Sequence, residues 1–283
     1  MPSVDDVLAG SGGWALVHAD CTDQFAGCDA ALETGSVHHM ITDPPYEAEA
    51  HTKGRRVRHY SGQGGYSVRE EPINAFDQIT PELRAAVGII AGRAVTRWSL
   101  VFCQVEAVSV WADALTVGGL VYKRSCVWIK PDGQPQLTGD RPGMGYETIV
   151  TAYPPGRSRW NAGGKIGVYS FNRHQDHGPH HLKHPTVKPL PLMEALIRDF
   201  TDPDDIVIDP FAGSGTTGVA CIRLGRRFIG WERDAKYHAT ATRRLESTRE
   251  QPELVAIDRF AHETKQRRKQ TTLDLDAPFE PDE

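Results

Sequence analysis

The run Thr42-Asp43-Pro44-Pro45-Tyr46 sets a carboxylate, two prolines and an aromatic ring in consecutive positions. Each proline holds its own φ at about −65° and pushes the residue before it into an extended form. The product is a stiff turn whose carbonyl oxygens point in fixed directions, with an acid at its start and a flat ring at its end. Such a turn suits a planar heterocycle that carries an –NH2 group. Acceptors meet the amine hydrogens, and the ring stacks on the heterocycle. Upstream, Val37-His38-His39-Met40-Ile41 reads as a buried strand that closes at the acid.

A second constellation lies far downstream. His184-Pro185-Thr186-Val187-Lys188-Pro189 precedes a helix with apolar Leu192, Leu196, Ile197 and Phe200. The strand Ile206-Val207-Ile208-Asp209 then enters the loop Pro210-Phe211-Ala212-Gly213-Ser214-Gly215-Thr216-Thr217-Gly218. A helix over Val219–Leu224 and a strand ending at Glu232 complete the unit. This β–glycine loop–α–β–acid order is the core of a nucleotide-type cofactor site, with the acid about twenty residues past the loop where a ribose hydroxyl needs an acceptor. Gly213, Gly215 and Gly218 also match G-x-G-x-x-G, which admits NAD and an oxidoreductase. Asp209 and Phe211 pull away from that reading, because they put a carboxylate and a ring where a pyrophosphate would approach. A carboxylate attracts an ammonium or sulfonium, and the N–H groups opening the next helix receive a small carboxylate. S-adenosylmethionine (AdoMet) has all of these parts.

The elements that must position these residues alternate. Trp14–His18 reads as a strand ending at Asp20-Cys21, which hints at a neighbour of the Asp43 strand opening onto the same cleft. Asp20 as the N-cap of the following segment stays an open alternative. Residues 80–96 have helical spacing behind Thr80-Pro81; Ser99–Cys103 reads as a buried strand, Val105–Leu115 as a helix, and Tyr122–Lys130 and Thr148–Ala152 as strands. Residues 1–12 read as frayed. The alternation predicts an α/β sheet. Residues 47–75 look least foldable, yet Lys53, Arg55, Arg56 and Arg58 stand beside His59, Tyr60 and Tyr66, a mix suited to a phosphate backbone and stacked bases. Residues 131–183 break the rhythm as an insertion in which Arg157 and Arg159 are candidate DNA contacts. His174, His177, His180, His181 and His184 invite a metal, but no cysteine joins them and no metal is expected. The tail from Gln251 is polar and reads as an appendage.

Bulk properties narrow the class. A chain of 283 residues fits one large domain, and its five scattered cysteines, without a C-x-x-C pair, fit a reducing cytosol. No run of eighteen apolar residues and no N-terminal signal pattern point to a membrane or to secretion. The net charge of −5 mildly opposes nucleic acid as partner, so binding would rest on local basic clusters.

Asp43-Pro44-Pro45-Tyr46, then His184–Pro189, then Asp209–Thr217 closely resemble, in that order, the β class of exocyclic-amino DNA methyltransferases. The resemblance covers roughly residues 14–247. It implies a Rossmann-like AdoMet-dependent α/β fold with a mostly parallel seven-stranded sheet, helices on both faces and the catalytic motif ahead of the cofactor motif. It implies a catalytic half (14–130), a target-recognition segment (131–183), an AdoMet half (184–247) and a tail (248–283). Asp43, Pro44, Pro45 and Tyr46 match the catalytic motif. Asp209, Phe211, Gly213, Ser214, Gly215, Thr216 and Thr217 match the AdoMet loop, and Glu232 matches the ribose acid. Asp20 and Cys21 correspond to the adenine-side pair, while Thr186 and Lys188 fall near the methionine end. The expected reaction moves the AdoMet methyl to adenine N6 in double-stranded DNA by base flipping and in-line transfer, leaving S-adenosylhomocysteine. Asp before Pro-Pro tilts toward adenine, with N4-cytosine the nearest alternative; a DNA-binding module with a decayed cofactor site is a remoter one. The resemblance also suggests a homodimer in a cytosolic, restriction-modification setting.

Overall fold

The structure, a computed structural model, describes residues 2–23, 37–46, 78–133, 139, 142–173 and 187–248, together with the backbone alone of 55–61 and 65–71. In chain order its elements are α1 (Val4–Ala9), β1 (Trp14–His18), β2 (His39–Thr42), β3 (Arg55–Ser61), β4 (Gly65–Glu71), α2 (Pro81–Ala94), β5 (Ser99–Cys103), a 3-10 turn at Val105–Ala107, α3 (Val108–Val117), β6 (Val121–Ile129), β7 (Tyr146–Tyr153), β8 (Val168–Ser170), α4 (Leu190–Phe200), β9 (Ile206–Asp209), α5 (Thr216–Arg223), β10 (Arg227–Glu232) and α6 (Ala235–Ser247).

Eight strands form one sheet in the order β1-β10-β9-β2-β5-β7-β6-β8. Strands β2, β5 and β9 are buried at every position. Continuous apolar runs of this kind mark parallel strands covered on both faces. One face packs against Val7 of α1, Val87 and Ala91 of α2, and Trp111 and Leu115 of α3. The other packs against Leu196 and Phe200 of α4, Val219 and Cys221 of α5, and Leu245 of α6. The neighbours pair in parallel, except that β7 runs antiparallel to both β5 and β6. That reversal has a local consequence. Cys103 at the end of β5 pairs with Thr148 near the start of β7, so the first residues of β7 lie level with the carboxyl ends of the parallel strands.

Four expectations change. The sheet has eight strands rather than seven, because Val168–Ser170, inside the segment read as an insertion, pairs with β6. β1 and β2 are not neighbours; β10 and β9 lie between them, although both strands open onto the same end of the sheet. Residues Val4–Ala9 form a helix instead of fraying, held by a reciprocal cap between Ser3 and Asp6 and closed by Gly10 at φ 81°. Between β2 and α2, β3 and β4 pair as an antiparallel hairpin from Arg55↔Glu71 to Ser61↔Gly65, where the sequence suggested no regular structure. Among the described residues no helix is long and apolar enough to cross a membrane.

Candidate active site

The carboxyl ends of β2 and β9 are adjacent, and a cavity of about 420 Å³ opens there. Its size falls in the range of small-molecule sites. Asp43, Tyr46, Lys188, Phe211, Gly213 and Glu232 all line it, so the two distant sequence constellations share one space.

The Asp-Pro-Pro-Tyr turn leaves β2 after Thr42 and is pinned from several directions. Lys188 Nζ makes a short ion pair with Asp43 Oδ2 and lies 3.3 Å from Glu147 Oε2 and 3.4 Å from Tyr46 Oη. Tyr46 donates its hydroxyl to Glu147 Oε2 at 2.8 Å, and Lys130 Nζ donates to Glu147 Oε1 at 2.5 Å. The Lys188 ammonium also lies 5.5 Å from the centre of the Tyr46 ring and 5.0 Å from that of Phe102. Two carboxylates and two ammoniums thus balance in a nearly closed space. Burial raises the Asp43 carboxyl above its ordinary range, partly offset by Lys188, with Glu147 adding to the rise. Burial works against the Lys188 charge, but Asp43 and Glu147 together hold its pKa above the ordinary value. Asp43 Oδ1 is buried and has no hydrogen-bond partner. A buried acceptor of that kind costs about 1–3 kcal/mol, which a ligand donor would relieve.

Asp209 lines the same cavity and is also bonded within the protein. It is 2% exposed, and its carboxylate accepts from Thr42 Oγ1 at 2.8 Å, Phe211 N at 3.0 Å and Thr217 Oγ1 at 2.7 Å. It therefore ties the end of β2, its own loop and the first turn of α5 into one unit. Burial pushes its carboxyl up to about 6, against the lowering effect of these three hydrogen bonds, and the Asp43 charge adds to the rise. Beyond it the loop turns through Gly213 at φ 52° and Gly215 at φ 79°, a region that favours glycine. Glu232 accepts from Gly213 N at 2.9 Å and Asp234 N at 2.7 Å. Behind the loop, Arg244 is fully buried and donates to Ser214 O at 2.5 Å and Thr216 Oγ1 at 3.2 Å. Gly218 lets α5 approach β10, since a Cβ there would meet Phe228 and Leu245 at 2.7 Å.

Asp20 and Cys21 line the cavity beside Arg233, and Asp20 Oδ1 accepts from Thr22 N at 2.9 Å. Arg159 sits elsewhere: it pairs with Asp202 at 3.0 Å, at the amino end of β9 and so at the opposite end of the sheet from Asp209. A buried polar network occupies that end, with His39 Nε2 2.8 Å from Asp205 Oδ2 and Arg97 Nη1 at 2.6 Å from the same oxygen. Arg157 is exposed on the loop after β7. Lys53 and Thr186 lie outside the described residues, as do the histidines 174–184, and of Arg55, Arg56 and Arg58 only the backbone in β3 is described. The sequence reading missed Glu147, Lys130 and Trp128, which also line the cavity. They come from the facing ends of β6 and β7, where Trp128 pairs with Glu147.

A glycine loop and an Asp-Pro-Pro-Tyr turn meet at the carboxyl ends of β9 and β2, the place where α/β folds of the nucleotide-binding class hold their ligands. The chain belongs to the N6/N4 family of exocyclic-amino DNA methylases, whose family model, described as DNA methylase, it matches over residues 37–243. The candidate methylase YubD of Escherichia coli (strain K12) is 29% identical over 239 residues, spanning 81% of this chain and 89% of YubD. A segment of 68 residues is 52% identical to the type II methyltransferase M2.DpnII of Streptococcus pneumoniae, covering 24% of this chain and 25% of that protein. Among solved structures, M1.HpyAVI in complex with SAM is 28% identical with a TM-score of 0.61, covering 82% of this chain and 98% of that one. The cytosine-N4-specific PvuII DNA methyltransferase shares the fold at 16% identity, with a TM-score of 0.63 and coverage of 87% and 91%.

Proposed function

We propose that the chain methylates the N6 amine of adenine in double-stranded DNA, with AdoMet as methyl donor. The observation that carries the reading is the unpartnered Asp43 Oδ1, buried within the same cavity that the glycine loop lines. An amine hydrogen is the donor that this oxygen lacks.

The residues fit an adenosyl amino acid. Each Glu232 oxygen takes one backbone N–H and keeps a lone pair for a ribose hydroxyl. Gly215 caps α5 without a side chain, which leaves the first-turn N–H groups for a carboxylate. Phe211 offers a ring within the loop, and Asp20 and Cys21, which line the same cavity, are our candidates for the adenine side. When bound, AdoMet supplies a sulfonium-activated methyl as electrophile.

The chain's own residues handle the amine. Its lone pair is delocalised into the heterocycle, so the free base is a poor nucleophile. Asp43 Oδ1 and the Pro44 carbonyl accept its two hydrogens and favour a pyramidal nitrogen with an available lone pair. Tyr46 stacks on the base, which must leave the duplex at a cost of a few kcal/mol. As the N–C bond forms, the donor's S–CH3 bond would break to leave S-adenosylhomocysteine, and the methylated amine would give up one proton toward Asp43 Oδ1. Positioning and fixed charges supply the acceleration, with no covalent enzyme intermediate.

Mass spectrometry of nucleosides from unmethylated DNA incubated with protein and AdoMet tests the reading. N6-methyladenine is the expected product. N4-methylcytosine would replace adenine by cytosine, and no methylated nucleoside would reject the activity.

A further inference from the structure

Glu147 is not part of any motif that marks the site, yet it holds two of its working side chains. It sits near the start of β7, the strand that runs against its neighbours, which brings it level with Asp43. Its Oε2 accepts the Tyr46 hydroxyl at 2.8 Å and faces Lys188 Nζ at 3.3 Å, while Oε1 takes Lys130 at 2.5 Å. We infer that Glu147 is a positioning residue for methyl transfer, anchoring Tyr46 and sharing Lys188 so that one oxygen of Asp43 stays open to the target amine. The inference rests on the function proposed above.

The argument is one of competing acceptors. The Lys188 ammonium has three donors, and Asp43 Oδ2, Glu147 Oε2 and Tyr46 Oη lie within reach of them. Without the Glu147 charge, Asp43 becomes the sole anion beside a buried cation. The ammonium then moves to bridge both Asp43 oxygens and covers Oδ1, the atom that must accept from substrate. The freed Tyr46 hydroxyl also loses the bond that fixes its ring. Charge points the same way. Lys130 and Lys188 balance Asp43 and Glu147, so removing one carboxylate leaves excess positive charge and weakens Asp43 as an acceptor.

Among the described residues, the charged and titratable groups around Asp43 are Lys188 ahead of α4, Glu147 on β7, Tyr46 on its own turn and Asp209 at the end of β9, with Lys130 beyond Glu147. Glu147 raises the Asp43 pKa, so its loss must lower that pKa. A residue that merely packs has no reason to move it in that direction.

The test measures tritiated methyl transfer from AdoMet to unmethylated genomic DNA across pH 5–8, with calorimetric AdoMet affinity alongside. Glu147→Gln should lower kcat about 10- to 100-fold and move the acid limb of kcat to lower pH. AdoMet affinity should stay within about 3-fold, and Glu147→Asp, which keeps the charge, should return the limb toward the wild-type position. A wild-type kcat in Glu147→Gln overturns the inference, as does a fall in kcat with an unmoved limb. Should Glu147→Gln fail to fold, Lys130→Met carries the test. Its excess negative charge moves the limb upward, and an unmoved limb overturns the charge argument. Wild-type protein that transfers no methyl fails the functional reading itself, a result distinct from an active wild type with indifferent variants.

Discussion

Thr42 Oγ1 donates a 2.8 Å hydrogen bond to Asp209 Oδ1, joining residues 167 positions apart. The last residue of the strand that delivers Asp43 is thus fastened to the acid that opens the glycine loop. The Asp-Pro-Pro-Tyr turn and the glycine loop are set against each other by one buried carboxylate.

Breaking that bracket should loosen both sides. Thr42→Val removes one of two donors to Asp209 Oδ1 and leaves Phe211 N in place, so the cost is that of one hydrogen bond to a charged group, about 1.5–3 kcal/mol. Urea denaturation should show the lower stability. Calorimetry should show weaker AdoMet binding by several-fold, because the loop loses an anchor while keeping its own residues.

Asp43→Ala should behave differently. It removes the acceptor but leaves the Asp209 bracket and the Glu232 bond to Gly213 intact. Methyl transfer should fall at least about 100-fold, the scale of losing one preorganised electrostatic group, with AdoMet affinity nearly unchanged. Steady-state transfer assays paired with calorimetry check both parts.

Two buried groups give stability opposing pH dependences. Burial lowers His39 from 6.5 to about 4, against the pull of Asp205, so its contribution is complete above 6.5 and is lost as pH falls toward 4. Asp209 is raised from 3.8 to about 6, so its contribution is complete below 3.8 and is lost as pH rises through 6. Each is worth about 3 kcal/mol at its limit. These two contributions should therefore offset each other between pH 4 and 6. His39→Gln should gain stability relative to its own neutral-pH value as acid is added, and Asp209→Asn should lose it. Denaturant midpoints measured across that range check both slopes.

Gly218→Ala tests the packing of α5 on β10. The added methyl meets two rigid neighbours, Phe228 and Leu245, at 2.7 Å. A loss of about 1–3 kcal/mol should lower the melting temperature, with no change in residues that touch ligand.

The site was legible in sequence where chemistry was local. Asp43–Tyr46 and Asp209–Thr217 stand out because each motif is complete within a few consecutive positions, and residues of both line one cavity. The helix at Val4–Ala9 was also written there, in the Ser3–Asp6 spacing and the Gly10 stop, but a short polar stretch masks it. Glu147 was not legible. It stands one residue ahead of the run read as a strand, and it meets Tyr46 only because β7 runs backwards through the sheet. Val168–Ser170 escaped for a similar reason, as three residues have no periodicity and gain their partner only in β6. Asp209 was found, but its partners were not: three protein donors from β2, the loop and α5 converge on it only in the folded chain.

The balanced quartet of Asp43, Glu147, Lys130 and Lys188 has a bearing on ionic strength. Its side chains are only 11–27% exposed, so mobile counterions have little access to the space between them. Dissolved salt competes with protein for phosphates, and affinity for a duplex falls steeply as it rises. Within the bound complex the same ions screen these paired charges far less. Sodium chloride should thus weaken capture of the polymer while leaving the turnover of captured complexes almost untouched.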